Sequence, residues 1–144
     1  MGLLDVIFPK ACFGCKKEGV YLCPDCLAKE SLKIQICPRC LRLSIKGGTH
    51  RDCLDPFGLD GLISFWRYRG AVRKAILTMK YKFASDIARE LGKHLADVFK
   101  SNPSLIRGKK VLIPIPVYKS RGNWRGFNQA EVIGRVVGDS LGWE

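Results

Sequence analysis

The sequence predicts an α/β protein in which a cysteine-rich N-terminal ribbon precedes the opening part of a parallel α/β sheet. Three observations carry this prediction. All seven cysteines fall within the first 53 of 144 residues. From residue 62 onward, strand-like and helix-like apolar patterns alternate, as in βα units. Near the end, the apolar run Val111 to Val117 leads through a cationic loop into a further helical pattern. Asp55, Pro56, Gly58 and Gly61 mark the division between residues 1–54 and 55–144.

The ribbon is read from its spacing. Cys12 with Cys15, Cys23 with Cys26, and Cys37 with Cys40 are CxxC knuckles, and His50 with Cys53 is a fourth with one ligand exchanged. A CxxC turn presents two sulfurs to one metal, and zinc takes four thiolate or imidazole ligands in a tetrahedron. Eight ligands therefore predict two structural Zn²⁺ sites, one of four cysteines and one of three cysteines and a histidine. Two pairings fit the spacing. The sequential one joins Cys12, Cys15, Cys23 and Cys26, then Cys37, Cys40, His50 and Cys53. The interleaved one joins the first knuckle to the third and the second to the fourth. An odd cysteine count and the strict spacing argue against a disulfide framework. No HxE motif accompanies the knuckles, and four-ligand sites have no open position, so the zinc is expected to fold the segment and not to catalyse.

Beyond the boundary, Leu62 to Tyr68 (LISFWRY) reads as a strand and Arg69-Gly70 as a turn. Val72, Ala75, Ile76 and Met79 then share one helical face, with Arg73, Lys74, Lys80 and Lys82 around the rest, a pattern read as a solvated face over a core stripe. A second helix is expected from near Ser85, whose hydroxyl suits an N-cap, to just before Asn102 and Pro103, with Ile87, Leu91, Leu95 and Val98 as its stripe. His94 beside that stripe has no ligand partner in sequence and is assigned a structural role.

The last stretch is read as a buried parallel strand over 111–117, which should end or run along an edge at Pro114 and Pro116, since these lack ladder donors. Lys119 to Asn128 forms a loop carrying Lys119, Arg121 and Arg125, two glycines and two aromatics, and from Gln129 the residues Ile133, Val136, Val137 and Leu141 recur at helical spacing. Open α/β sheets bind ligands at such strand-to-helix loops. An open parallel edge at 111–117 would also favour self-association.

The chain carries a net charge of +12, with the excess greatest over 55–110, where twelve basic residues face five acidic ones. This balance favours phosphate-bearing partners such as nucleic acid, a phosphorylated small molecule or an anionic surface. No apolar run approaches a membrane span, and the N-terminal MGLLDVIF lacks the features of a signal peptide, so the expected location is cytoplasmic.

These pieces, in this order, resemble the ComF family of competence proteins, which are phosphoribosyltransferase-like with an N-terminal double zinc ribbon. The resemblance rests on the LLDVIFP leader, the four knuckles, YRGAVRKAILTMKYK over 68–82, VLIPIP over 111–116 and RGFNQAE over 125–131. His50 stands where the family more usually has cysteine. The resemblance implies that residues 1–54 are the double zinc ribbon and 55–144 the N-terminal, incomplete part of a phosphoribosyltransferase-like domain. It implies a role in handling single-stranded DNA during uptake. Type I phosphoribosyltransferases displace pyrophosphate from phosphoribosyl pyrophosphate (PRPP) with Mg²⁺, and on that analogy Lys119, Arg121 and Arg125 would face the pyrophosphate. Gly126 would let the backbone approach, and Asn128 and Gln129 would orient a ligand or cap the helix. The PRPP-binding loop of that fold needs two adjacent acidic residues followed by a Thr/Gly-rich turn that opens a helix, and these 144 residues hold no adjacent acidic pair and no TTG turn. The expectation is a C-terminally truncated chain, inactive alone, in which Mg²⁺ has a place only if a complete site exists. The alternatives are a fragment of an active PRPP-dependent transferase, or a zinc-ribbon nucleic-acid-binding module.

Overall fold

The computed structural model describes residues 9–81, 84–105, 110–118 and 126–143. Its elements in chain order are α1 (Pro24–Lys29), β1 (Gln35–Ile36), β2 (Leu43–Ser44), α2 (Gly70–Tyr81), α3 (Ser85–Ser101) and α4 (Gln129–Leu141), with short 3₁₀ turns at Ile45–Gly47, Arg51–Cys53 and Pro103–Leu105. The three longer helices lie where the sequence periodicity predicts them. Among the described residues the only sheet is the antiparallel pair β1–β2, with Gln35 opposite Ser44 and Ile36 opposite Leu43.

Helix α2 buries Ala71, Val72, Ala75 and Met79, one stripe at i, i+3/i+4 spacing, and leaves Arg73 and Lys74 outside. Helix α3 buries Ile87, Ala88, Leu91, Gly92 and Ala96. Ser85 opens α3 without capping it: Ala84 holds the cap position, and the Ser85 hydroxyl accepts from Arg89 Nη1 at 2.9 Å. At its other end, Asn102 Nδ2 donates to the Val98 carbonyl at 3.0 Å before Pro103 stops the helix. Helix α4 is capped by Asn128, whose Oδ1 accepts the Ala130 N–H at 3.0 Å, and it ends at Gly142, left-handed at φ 66°, with Trp143 N–H returning to the Gly138 carbonyl.

The core does not respect the boundary near residue 54. Cys12, Leu22, Cys23, Cys26 and Leu27 from the ribbon pack in one cluster with Val72, Ala75 and Met79 of α2 and Ile87, Ala88 and Leu91 of α3. The most extensive helix–helix interface is that of α3 with α4. It is close because position 92 is glycine: a Cβ there would lie 2.8 Å from Val136 Cβ and 3.2 Å from the Ile133 carbonyl. Phe99 bridges the remaining elements, packing edge-on against Phe65 (centroids 5.2 Å) and against Trp143 (5.3 Å).

Two expected strands are not formed. Residues 62–68 are tied to the ribbon piecemeal instead of joining a ladder. Leu32 N–H donates to Phe65 O, Arg67 N–H to Glu30 O and Leu62 N–H to Gly47 O. The Gln35 side chain meets both the N–H and the carbonyl of Ser64. These side-chain and isolated backbone bonds satisfy the segment without a neighbouring strand. Residues 111–117 likewise have no ladder partner among the described residues and are far from buried: Val111 is 63%, Ile113 84% and Ile115 80% exposed. Pro114 and Pro116 offer no donors, and no strand lies beside them among the described residues. The parallel sheet predicted for the second part is therefore absent from the described structure, which is helical with a small hairpin.

Candidate metal centres

Local backbone geometry builds the two ligand groups in parallel. In the first knuckle of each, the outer cysteine carbonyl accepts an N–H four residues on (Lys16 to Cys12 and Leu41 to Cys37, both 3.0 Å). Its own N–H donates five residues on (Cys12 to Lys17 and Cys37 to Arg42, both 2.9 Å). Closing this loop takes Lys16 (φ 67°) and Leu41 (φ 60°) into the left-handed region that side chains usually avoid. The second knuckle of each group sits at a helical N-terminus. Cys23 is the N-cap of α1 with Cys26 in its first turn, and His50 is the N-cap of the 3₁₀ turn that contains Cys53. The ribbon is thus an internal repeat offset by 25–27 residues, a symmetry hidden in sequence because only the ligands and the backbone path recur.

The structure brings together Cys12, Cys15, Cys23 and Cys26 in one group (site I) and Cys37, Cys40, His50 and Cys53 in the other (site II), with the ligand atoms of each group within 4.8 Å of one another. This is the sequential arrangement; the interleaved one is not formed. A tetrahedron with Zn–S bonds of ~2.3 Å has sulfur–sulfur edges of about 3.8 Å. The observed Cys15 Sγ to Cys23 Sγ separation is 3.6 Å, and Cys40 Sγ lies 3.3 Å from His50 Nδ1. Soft thiolates with at most one imidazole, in closed sets of four, are a donor set that fits Zn²⁺. At His50 the outer nitrogen is committed, since Nε2 is 2.9 Å from the Leu43 carbonyl and must donate to it, which leaves Nδ1 as the ligand atom.

The electrostatics of each group are those of thiols crowded together. In site I, burial pushes the Cys12 thiol up, but N–H donors from Cys23, Cys15 and Gly14 outweigh it and bring the pKa down from 9.0 to about 6. The Cys26 thiol, hydrogen-bonded first of all to Cys23 and then desolvated, is pushed up to about 12. In site II, Arg42 and its backbone lower Cys40 to about 6, whereas burial and the neighbouring sulfurs raise Cys53 to about 11. His50 is raised, chiefly by Cys40 and then by the Leu43 carbonyl. Cys37 is lowered too, chiefly by the Cys40 backbone N–H, so one thiol in site I and two in site II ionise readily while the last thiol of each group resists. A bound dication reverses that resistance, since it stabilises all the thiolates together.

The two sites differ in setting. Three ligands of site I are in the main core, and Gly14 is needed there because a Cβ would lie 2.5 Å from Cys26 Sγ. Site II is held by its own hairpin and by Arg39, whose Nη1 donates to the Cys53 carbonyl at 3.2 Å. Around it Leu41, Leu43 and Ile45 are exposed.

Of the six loop and helix residues singled out as a ligand wall, Lys119, Arg121 and Arg125 lie outside the described residues. Gly126 is exposed with φ 71°, and a Cβ there would touch nothing, so the backbone angle and not crowding calls for glycine. The Asn128 side chain is fully used: besides capping α4, its Nδ2 donates to the Ile115 carbonyl at 3.2 Å and ties residues 111–118 to the helix. Gln129 is buried, and its Nε2 has no partner among the described residues. The groove beside this helix, about 390 Å³ between Leu112, Pro114 and α4, is lined by Glu131, Arg135 and Asp139, and Arg135 is paired with Glu131 at 2.8 Å. That face offers an anion little net attraction.

What sequence reasoning missed is the link between α3 and site I. Glu90 and His94 reach the backbone of Tyr21 and Leu22, next to the ligand Cys23. Their i, i+4 spacing was the available signal. Compared with protein-family models, curated proteins and solved structures, the chain matches none. No helix among the described residues is long and apolar enough to cross a membrane.

Proposed function

We propose that this chain is a ComF-like protein in which two structural Zn²⁺ ions fold a double ribbon onto a helical body that handles single-stranded DNA during uptake. The observation that carries the reading is the pair of closed four-ligand groups formed in chain order, one Cys₄ and one Cys₃His, on residues at the family's knuckle positions. Four protein ligands leave zinc no open position for substrate, which supports a structural metal and a function located elsewhere on the chain. The charge of +12 supports a polyanionic partner. A labelled oligonucleotide titrated at several salt concentrations tests this. Affinity is expected to fall linearly in log–log form with salt, and Arg121→Ala with Arg125→Ala is expected to lower the slope by about two, roughly one per lost phosphate contact. Absence of binding even at low salt would overturn the DNA reading.

A second reading is that the chain carries the pyrophosphate-side wall of a PRPP-dependent transferase. Gln129 supports it, because its buried amide N–H has no partner among the described residues and would cost about 1–3 kcal/mol unless something accepts from it. The missing acidic pair argues that these 144 residues do not form the whole site, and no PRPP binding by this chain is expected in the presence of Mg²⁺. Calorimetric detection of such binding would favour the enzyme reading. The exposed, unpaired segment with Val111, Ile113 and Ile115 supports self-association through that edge, which sedimentation at increasing protein concentration would reveal. A bare zinc-ribbon nucleic-acid module would bind DNA with Arg121 and Arg125 dispensable.

A further inference from the structure

We infer that Glu90 and His94 are positioning residues for the metal of site I, so that occupancy of site I, and not of site II, governs how α3 docks. The inference rests on the reading that site I holds a metal.

The two side chains stand one helical turn apart on α3 and grip a single peptide stretch about 70 residues away in sequence. Glu90 Oε1 accepts the N–H of Leu22 at 2.6 Å and of Tyr21 at 2.8 Å, and Oε2 accepts the Tyr21 N–H at 3.1 Å. His94 Nε2 lies 2.9 Å from the Leu22 carbonyl; a carbonyl only accepts, so this nitrogen carries the proton. Leu22 is thereby fixed at its N–H by Glu90, at its carbonyl by His94, and at its side chain by the core, where it is fully buried. The next residue is Cys23, which is at once a ligand and the N-cap of α1, and whose N–H points at Cys12 Sγ at 3.5 Å. The second knuckle of site I cannot close on a metal without placing Tyr21 and Leu22 where α3 receives them.

Site II has no counterpart. The groups that orient its ligands, the Leu43 carbonyl on His50 and Arg39 on the Cys53 carbonyl, come from the ribbon itself. Its ties to later residues run through Thr49, next to His50, whose N–H donates to the Asp60 carbonyl at 2.8 Å and whose hydroxyl donates to the Leu59 carbonyl, through the Gln35–Ser64 contacts and through an exposed Lys46–Ser104 hydrogen bond; among the described residues none of these joins a site II ligand or its neighbour to α2, α3 or α4. Linkage is reciprocal: whatever factor α3 docking adds to metal affinity at site I, the metal returns to α3 docking. Since α3 packs on α4 through Gly92, the effect of the site I metal extends to the helix whose N-terminus carries Asn128 and Gln129.

Outer-shell partners of metal ligands are worth about 10- to 100-fold in metal affinity. The test uses the full chain loaded with ¹¹³Cd²⁺, whose resonances separate a four-thiolate site from a three-thiolate, one-imidazole site, during titration with a competing chelator. Glu90→Gln and His94→Ala are expected to weaken the four-thiolate site by about 10- to 100-fold while the other stays within about twofold. His94→Gln, which keeps an N–H donor near the same place, is expected to stay near the parent chain. A uniform loss at both sites, or no loss at either with the helical circular dichroism intact, would overturn the inference. A parent chain showing fewer than two cadmium resonances would instead overturn the reading of the metal sites.

Discussion

Replacing Gly92 by alanine puts the packing of α3 on α4 to a quantitative test. In an exposed helix interior the exchange stabilises by about 1 kcal/mol, because alanine loses less backbone freedom. At position 92 the new Cβ would stand 2.8 Å from Val136 Cβ, 3.0 Å from Val136 Cγ1 and 3.2 Å from the Ile133 carbonyl. Ordinary carbon contacts are about 3.5–4.0 Å, so α4 must back away by roughly 1 Å. Neither a Cβ fixed to its own helix nor a backbone carbonyl can rotate out of the way. Overpacking of this kind costs about 1–3 kcal/mol, and loosened contacts along the interface add to it. The net expectation is a destabilisation of about 1–2 kcal/mol, a fall in Tm on the order of 4–8 °C. Gly134 in α4 is the internal control, since a Cβ there meets nothing within 4 Å. Gly134→Ala should raise stability by about 1 kcal/mol. Thermal and urea unfolding of both variants check the pair, and a Gly92→Ala chain as stable as Gly134→Ala would refute the close approach of α3 and α4.

Three further outcomes are expected. Gly14→Ala, whose Cβ would fall 2.5 Å from Cys26 Sγ, should abolish metal at site I and leave one metal per chain, as read by mass spectrometry under native conditions. Asn128→Ala should cost about 1 kcal/mol through the lost cap, while Asn128→Asp should keep the cap and release residues 111–118 from α4, seen as faster hydrogen exchange there. In the metal-free chain, Cys12 and Cys40 fold with pKa values lowered from 9.0 to about 6, so their contribution is complete above pH 9 and lost as pH falls from 9 to 6. Cys26 and Cys53, raised to about 12 and about 11, contribute fully below pH 9 and lose that contribution as pH climbs past it. These preferences do not hold the fold without metal, so the pH dependence is read on the loaded chain: a competing chelator should strip zinc more readily as pH falls from 9 to 6 and protons reclaim the thiolates, and retention unchanged over that range would contradict the prediction.

The knuckles were legible because four ligand pairs, each with two residues between its members, within 53 residues match what two four-ligand metal sites require; their grouping was not, since the choice between sequential and interleaved pairs depends on the backbone path from Cys26 to Cys37. The helices were legible from stripes such as Val72, Ala75 and Met79, each buried where the period put it. The strands misled for a definite reason. Runs such as Leu62 to Tyr68 and Val111 to Val117 state a preference for extended backbone, but a strand exists only where a neighbour supplies the ladder. Residues 62–68 found the ribbon and the Gln35 amide instead, and 111–117 found no ladder among the described residues, only a side-chain bond from Asn128 to Ile115. Glu90 and His94 were ambiguous in sequence, because a carboxylate and an imidazole at i, i+4 suit a solvated helix face as well as a clamp on a distant backbone. Gln129, polar and first in its helix, gave no sign that it would be buried.

The central claim is that two closed metal groups hold this fold together. Metal analysis of the purified, folded chain, paired with circular dichroism before and after chelation, tests it directly. Two zinc ions per chain are expected, with loss of folded structure when both are removed and recovery on adding zinc back. Fewer than two ions per folded chain, or a chain that keeps its structure with neither, would contradict it.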